Sequence, residues 1–225
     1  MASKGLLMRI RKGLYYIIPY DQKGDTFMPN WHLLAPSLVK SRDYYIGYFA
    51  AFQIHGLNTQ PSLKEQIVVN KQIRPSMLSV KGIPFQFIYH SDSHFFGYKE
   101  TWIDAFHRVN CTDIEKTIID SLFKPNYAGG IVEVAKAIYL AKNKLNMKRL
   151  LAYSQQFRSQ AVIKRLGFLL ELLDIKTPIL KKLQARKSPS IAVLDPEMPP
   201  AGKIVTCWSI QQNIDSYTIQ SSTLT

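Results

Sequence analysis

The sequence predicts an α+β fold in which a few strands precede a run of helices. Two observations carry this. Between residues 60 and 110, short apolar and aromatic runs are separated by turn signals such as Lys81-Gly82 and Gly97. From Thr112 onward the apolar positions instead recur at helical spacing. Strands followed by helices, and not alternating with them, is the α+β order. With 225 residues the chain is long enough to bury its own core without a metal or disulfide.

Taken in order, Leu6–Pro19 reads as two short strands around Lys12-Gly13, where glycine supplies the turn and aromatic and β-branched residues fill the second strand. A lone hairpin is marginal in water, so it must pack on something. Residues 20–31 are turn-rich and read as a linker, so the expected division is 1–31 and 32–225. Helices are predicted over His32–Lys40 and Tyr44–Ile54, the second apolar nearly all round and closed by Gly56. Strands are expected at Ile67–Val69, Met77–Val80, Pro84–Tyr89 and Ile103–Val109. Thr112-Asp-Ile-Glu115 has the form of a capping box, with Ile118 and Leu122 following and Pro125 ending the helix. Further helices are predicted over 131–143, 147–157, 159–173 and 177–186. In the third, Val162, Ile163, Leu166, Leu169, Leu170 and Leu173 make one stripe, with Lys164 and Glu171 placed opposite. Short strands are expected at Ile191–Leu194, Ile204–Cys207 and Ser209-Ile210.

Charge is the second signal. The chain carries 29 basic and 16 acidic residues, a net charge of +13, at 46% hydrophobic content. Residues 136–187 alone hold 13 basic side chains against Glu171 and Asp174. Such concentration favours a polyanionic partner over evenly solvated helix faces. Arg9, Arg11 and Lys12 on the hairpin, and Lys142, Lys148, Arg149, Arg158 and Lys164 on the helices, are the candidate DNA-binding residues. The two-stranded basic tip matches a wing that lays cations along phosphates. Arg149 and Arg158 suit phosphate best, because a guanidinium binds two oxygens at once.

Several classes are set aside. No apolar run approaches the ~18 residues of a membrane span. Cys111 and Cys207 match no ligand spacing, so a reduced cytoplasmic protein is the expectation. Glycine-rich phosphate loops, nucleophile elbows and zinc-type clusters are absent, so neither enzyme activity nor a cofactor is predicted. His90-Ser-Asp-Ser-His94 is the best metal-like run, but it reads more readily as a turn. Asp113 and Glu115 suit a helix start, and Asp120 pairs with Lys116 one turn away. His55 reads as a capping histidine beside Gly56.

Several phrases resemble AbiE-type antitoxins, the regulators of type IV toxin–antitoxin pairs. Met8-Arg-Ile-Arg-Lys-Gly-Leu-Tyr-Tyr16 is similar to the wing of their winged-helix domain. Gly47–Leu57, ending His55-Gly56-Leu57, resembles their buried helix. Glu115-Lys-Thr-Ile-Ile-Asp120 and Arg165-Leu-Gly167-Phe-Leu-Leu-Glu171 resemble two further signatures, followed by Leu194-Asp-Pro196, Gly202, Trp208 and Asn213. The resemblance implies an antitoxin and transcriptional autorepressor of an abortive-infection operon, countering a nucleotidyltransferase toxin functionally and without a stable complex. The helices that precede the wing in that family are not found, so the sequence predicts weak DNA binding without base preference. A nucleic-acid-processing enzyme and a protein-interaction module remain the alternatives.

Overall fold

The computed structural model describes residues 7–20, 27, 29–39 and 43–224. Most of the predicted linker, and Lys40, lie outside those residues. The fold is α+β, as predicted. Strands β1 (Leu7–Arg11) and β2 (Leu14–Ile17) form the antiparallel hairpin, with Arg9 opposite Tyr15. After a 3-10 turn at Trp31–Leu34 come α1 (Ala35–Val39), β3 (Tyr44–Ile46) and α2 (Tyr48–His55). Next are β4 (Glu65–Val69), β5 (Met77–Val80), β6 (Ile83–Tyr89), β7 (Tyr98–Trp102) and β8 (Arg108–Thr112). Helices α3 (Ile114–Phe123), α4 (Ile131–Ala141), α5 (Met147–Gln156), α6 (Gln160–Leu172) and α7 (Ile179–Gln184) follow. The chain then runs through β9 (Ala192–Val193), β10 (Lys203–Val205), β11 (Ile210–Gln212) and α8 (Ser216–Ser221).

Strands β3 to β8 make one mixed sheet in the order β5-β6-β4-β3-β8-β7, with β4 and β6 parallel and β3 parallel to β8. Its two faces are both covered. On one, Tyr44, Ile46, Ile67, Val69, Phe85 and Cys111 share a core with Met8, Ile10 and Ile18 of the hairpin segment and Leu34 and Leu38. The hairpin thus packs on the sheet, as its marginal stability in isolation requires. On the other, Tyr45, Val68 and Ile88 point toward the helices. The helical core beyond them contains Ile118, Leu122, Val134, Ile138, Leu150, Leu166, Leu170 and Leu183.

Two predicted elements change type. Tyr44–Ile46 is a central strand, and the helix starts only at Tyr48. Its all-round apolarity reflects burial between two layers, and burial on both faces looks alike in helix and strand. Gly47 offers no side-chain cap, so Gln66 of β4 supplies it, its Oε1 accepting from the Phe49 and Ala50 amides at 3.0 and 3.3 Å. Of the predicted Ile103–Val109 strand, Ile103–His107 is a turn joining β7 to β8, because Asp104 Oδ1 accepts from the Phe106 and His107 amides, and only Arg108 and Val109 belong to β8. Strand β7 and helix α8 have no counterpart in the sequence reading.

The end of α2 follows its sequence signal. Gly56 sits at φ 64° and ψ 41°, and the amides of Gly56 and Leu57 bond back to Gln53 and Phe52 carbonyls. A second glycine acts by size. A Cβ on Gly167 would fall 2.0 Å from the Trp208 ring, so the buried indole lies directly against α6. The Trp208 indole N–H donates to Glu171, one turn further along. The glycine and glutamate of the signature are therefore a seat for a tryptophan from the turn between β10 and β11.

Leu166 is wholly buried in the helical core. Leu166→Ala is expected to lower the unfolding free energy by ~2–5 kcal/mol in denaturant titration. Gly167→Ala, which adds a single methyl, is expected to cost ~1–3 kcal/mol by displacing Trp208. A Gly167→Ala protein of unchanged stability would contradict the seat.

Candidate functional site

A line of polar side chains is sealed between the sheet and α3. Tyr45 comes from β3, Tyr48 from the first residue of α2, His90 from the residue after β6, and Lys116 and Asp120 from one face of α3. All five are buried. Tyr48 holds a positive φ of 56°, costly for an aromatic residue, which aims its ring into this site. The Tyr48 hydroxyl is 2.7 Å from His90 Nε2, and His90 Nδ1 is 3.1 Å from the Tyr45 hydroxyl. Tyr45 donates to Asp120 Oδ2 at 3.2 Å, and Lys116 Nζ donates to Asp120 Oδ1 and, at 3.3 Å, to the Tyr45 oxygen.

The donor count fixes the proton arrangement. Tyr45 spends its one proton on Asp120, so it accepts from His90 Nδ1–H, and Nε2 accepts from Tyr48. The relay runs one way, from Tyr48 through His90 and Tyr45 to Asp120. Burial, and then the Lys116 charge, hold His90 down to about 3, so its ring is neutral at physiological pH. Burial pushes Asp120 up and Lys116 down, and their mutual contact opposes both shifts. The Lys116 ammonium also lies 4.8 Å from the Phe96 ring centre and 5.2 Å from that of Phe157. Those rings face the cation with their negative faces and partly replace water.

His90 and His94 do not converge on an ion. The His94 ring stacks on Phe157 at 3.8 Å and its Nε2 bonds to the Phe157 carbonyl at 3.0 Å. Asp92 sits in a 3-10 turn, in keeping with the turn reading. Among the described residues no group of three His, Cys, Asp or Glu side chains is placed to hold a metal.

The signature residues serve mostly as ties. His55 Nε2 donates to the Thr112 carbonyl at 2.6 Å, joining the end of α2 to the end of β8, and burial pushes its pKa down. Arg165 bonds the carbonyls of Leu122 and Phe123 at the end of α3 and of Val193 in β9. A cation there also meets the negative end of the helix. The capping box is corrected. Asp113, not Thr112, caps α3, accepting from the Lys116 amide at 2.8 Å, while the Thr112 hydroxyl bonds Thr117 at 2.7 Å. Glu115 turns away to accept from the Asn146 amide at 2.7 Å and from Arg149. That docks α5 on α3.

The candidate cations divide. Arg9, Lys12, Lys148 and Arg158 are exposed, Arg158 at a φ of 56° just past α5. Lys142 lies 3.7 Å over the Tyr139 ring. Arg11 bonds the Ser37 and Leu38 carbonyls of α1. Arg149 is half-exposed but lies 3.5 Å from Glu115 and 3.7 Å from Asp113. Lys164 is corrected. It is wholly buried and holds Ser188 and Ser190, because α6 is covered on that side by the segment after α7. The relay residues Tyr45 and Tyr48 escaped the sequence reading, and His90 entered it only as one end of the metal-like run. The signal that touched the relay itself was the spacing of Lys116 and Asp120.

No family model matches this chain, and no curated protein matches it. A fold likeness exists to the Rv2827c protein from Mycobacterium tuberculosis, with TM-score 0.65 and 12% identity over 91% of this chain and 74% of that one. At such identity the likeness concerns the fold alone. Among the described residues no helix is long and apolar enough to cross a membrane.

Removing one member of the buried pair strands the other. Asp120→Ala is expected to cost ~3–5 kcal/mol, and Lys116→Met/Asp120→Leu together distinctly less than the sum of the single changes. Denaturant unfolding of the cycle measures both. For His90 the folded pKa lies below the ~6.5 of an exposed histidine, so the unfolded chain takes up the proton first. Its contribution is present above about pH 6.5 and declines as pH falls toward about 3. His90→Gln should therefore show a shallower loss of stability across that window.

Proposed function

We propose that this chain is a DNA-associated regulatory protein of the AbiE antitoxin type, acting in the cytoplasm and opposing a nucleotidyltransferase toxin. The observation that carries this reading is the surface of the helical half. Lys144, Lys148, Arg158, Lys176, Lys181, Lys182 and Arg186 are exposed there. Among the described residues none of them has a carboxylate within ion-pair distance. Among the described lysines and arginines, Arg108, Lys116 and Arg149 do pair with carboxylates. Unpaired cations on neighbouring helices keep their charge available to phosphates, and each phosphate contact releases a condensed counterion. The resemblance of the hairpin to a wing, with Arg9 and Lys12 exposed, supports the same reading.

The residues best suited to the test differ from those the charge pattern alone suggests. Arg149 already neutralises Asp113 and Glu115, so reversing it would place three carboxylates together. Lys144 and Lys148 carry no such duty. Duplex DNA is expected to bind at ~10⁻⁴–10⁻⁶ M at physiological salt, weakening steeply between ~50 and ~200 mM. Lys144→Glu/Lys148→Glu should weaken it further, leave the unfolding free energy within ~1 kcal/mol, and reduce rescue of cells expressing the toxin. Unchanged DNA binding and unchanged rescue by the double variant would overturn the proposal. A tight, salt-insensitive complex with one sequence would overturn the weak, counterion-driven mode of binding.

A further inference from the structure

Lys164 is a buried cation with no counter-ion. Its side chain is fully covered, and its three protons go to neutral oxygens: Ser188 Oγ at 3.1 Å, Ser190 Oγ at 3.0 Å and the Ser190 carbonyl. Among the described residues no carboxylate lies within ion-pair distance of Lys164 or Lys187. Lys187, in the same segment, spends one proton on Ser209 Oγ at 3.0 Å. Burial and the Lys187 charge both push Lys164 below the usual lysine range. A buried ammonium is costly unless an opposite charge or a full set of hydrogen bonds meets it. Here the hydrogen bonds are complete and the charge is left over.

The hydroxyl count leaves a donor free. Ser188 Oγ and Ser190 Oγ are 2.7 Å apart, and each accepts from Lys164. One hydroxyl proton joins the pair, so the other has no partner within it. Lys187 keeps protons beyond the one that Ser209 takes, and it lies on the same accessible segment, with Lys187 and Ser188 half-buried and Ser190 exposed. Gln160, in the first turn of α6, holds that segment in place: its Oε1 accepts from the Ser188 amide at 2.6 Å and its Nε2 donates to the Arg186 carbonyl at 3.3 Å. The donors are thus fixed before any ligand arrives, which lowers the ordering cost of binding.

We propose that Lys164, Lys187, Ser188 and Ser190 form a binding site for a phosphate-type anion, free or carried on a nucleic-acid backbone. Lys164 supplies charge from below and orients the two hydroxyls, while Lys187 and the spare hydroxyl proton make the contacts. Only the nucleic-acid source rests on the function proposed above. The anion site itself does not.

Inorganic phosphate is the first probe, measured by calorimetry and thermal unfolding against chloride of equal ionic strength. Phosphate should bind the wild-type protein and raise its Tm beyond the chloride control. Lys187→Met and Ser190→Ala should each weaken phosphate binding by about tenfold or more, because charge-assisted contacts are lost. Ser190 is exposed and Lys187 half-buried, and Lys187→Met leaves all three acceptors of Lys164 in place, so it carries the test even if Lys164→Met or Ser190→Ala does not fold. Phosphate affinity unchanged in both variants, or no greater than that of chloride, overturns the site. Duplex DNA is the second probe. Parallel loss of DNA affinity supports a backbone phosphate as the ligand, whereas loss of phosphate binding with unaltered DNA affinity supports a free anion, and both support the site.

Discussion

The contact on which this architecture turns is the ion pair of Lys116 and Asp120, sealed between the sheet and the helices. Two charges out of water are tolerable only when each is hydrogen-bonded and close to the other. The pair meets that condition by drawing in Tyr45 from the central strand and, through His90, Tyr48 from α2. The consecutive β3 and α2, the end of β6 and α3 thereby acquire one relative position. Misplacing any of them leaves a buried polar group unpaired, which is costlier than losing an apolar contact.

Around this pair the rest of the helical half is tied by side chains that reach backbone carbonyls and amides. Arg165 closes the end of α3 and reaches β9, His55 joins α2 to the end of β8, and Glu115 holds the start of α5. Trp208, seated on Gly167, fastens the small C-terminal sheet to α6. Residues that resemble a family signature thus have concrete structural duties here. The Arg165 guanidinium is spent on such a tie, whereas the exposed cations in and around α5 and α7 carry the proposed function.

The fold class and most helices were legible because helical periodicity survives burial on one face. The stripe of Leu166, Leu169 and Leu170 is an instance, and all three are buried. Tyr44–Ile46 was not legible, since a strand covered on both sides shows no alternation. Nor was the fate of Lys164. A lysine opposite an apolar stripe normally faces water, and only the chain returning after α7 covers it.

The sequence by itself determined local matters: the turn at Lys12-Gly13, the glycine stop after α2, the helix ended before Pro125, and the concentration of positive charge after residue 136. These depend on neighbours within a few residues or on sums over many. Tertiary structure alone decided which charges are solvated and which are sealed, and that Tyr45, Tyr48 and His90 share hydrogen bonds with Asp120 or with one another. Such facts depend on the sheet order that sets β3 beside both β4 and β8, and no local pattern encodes which strands become neighbours.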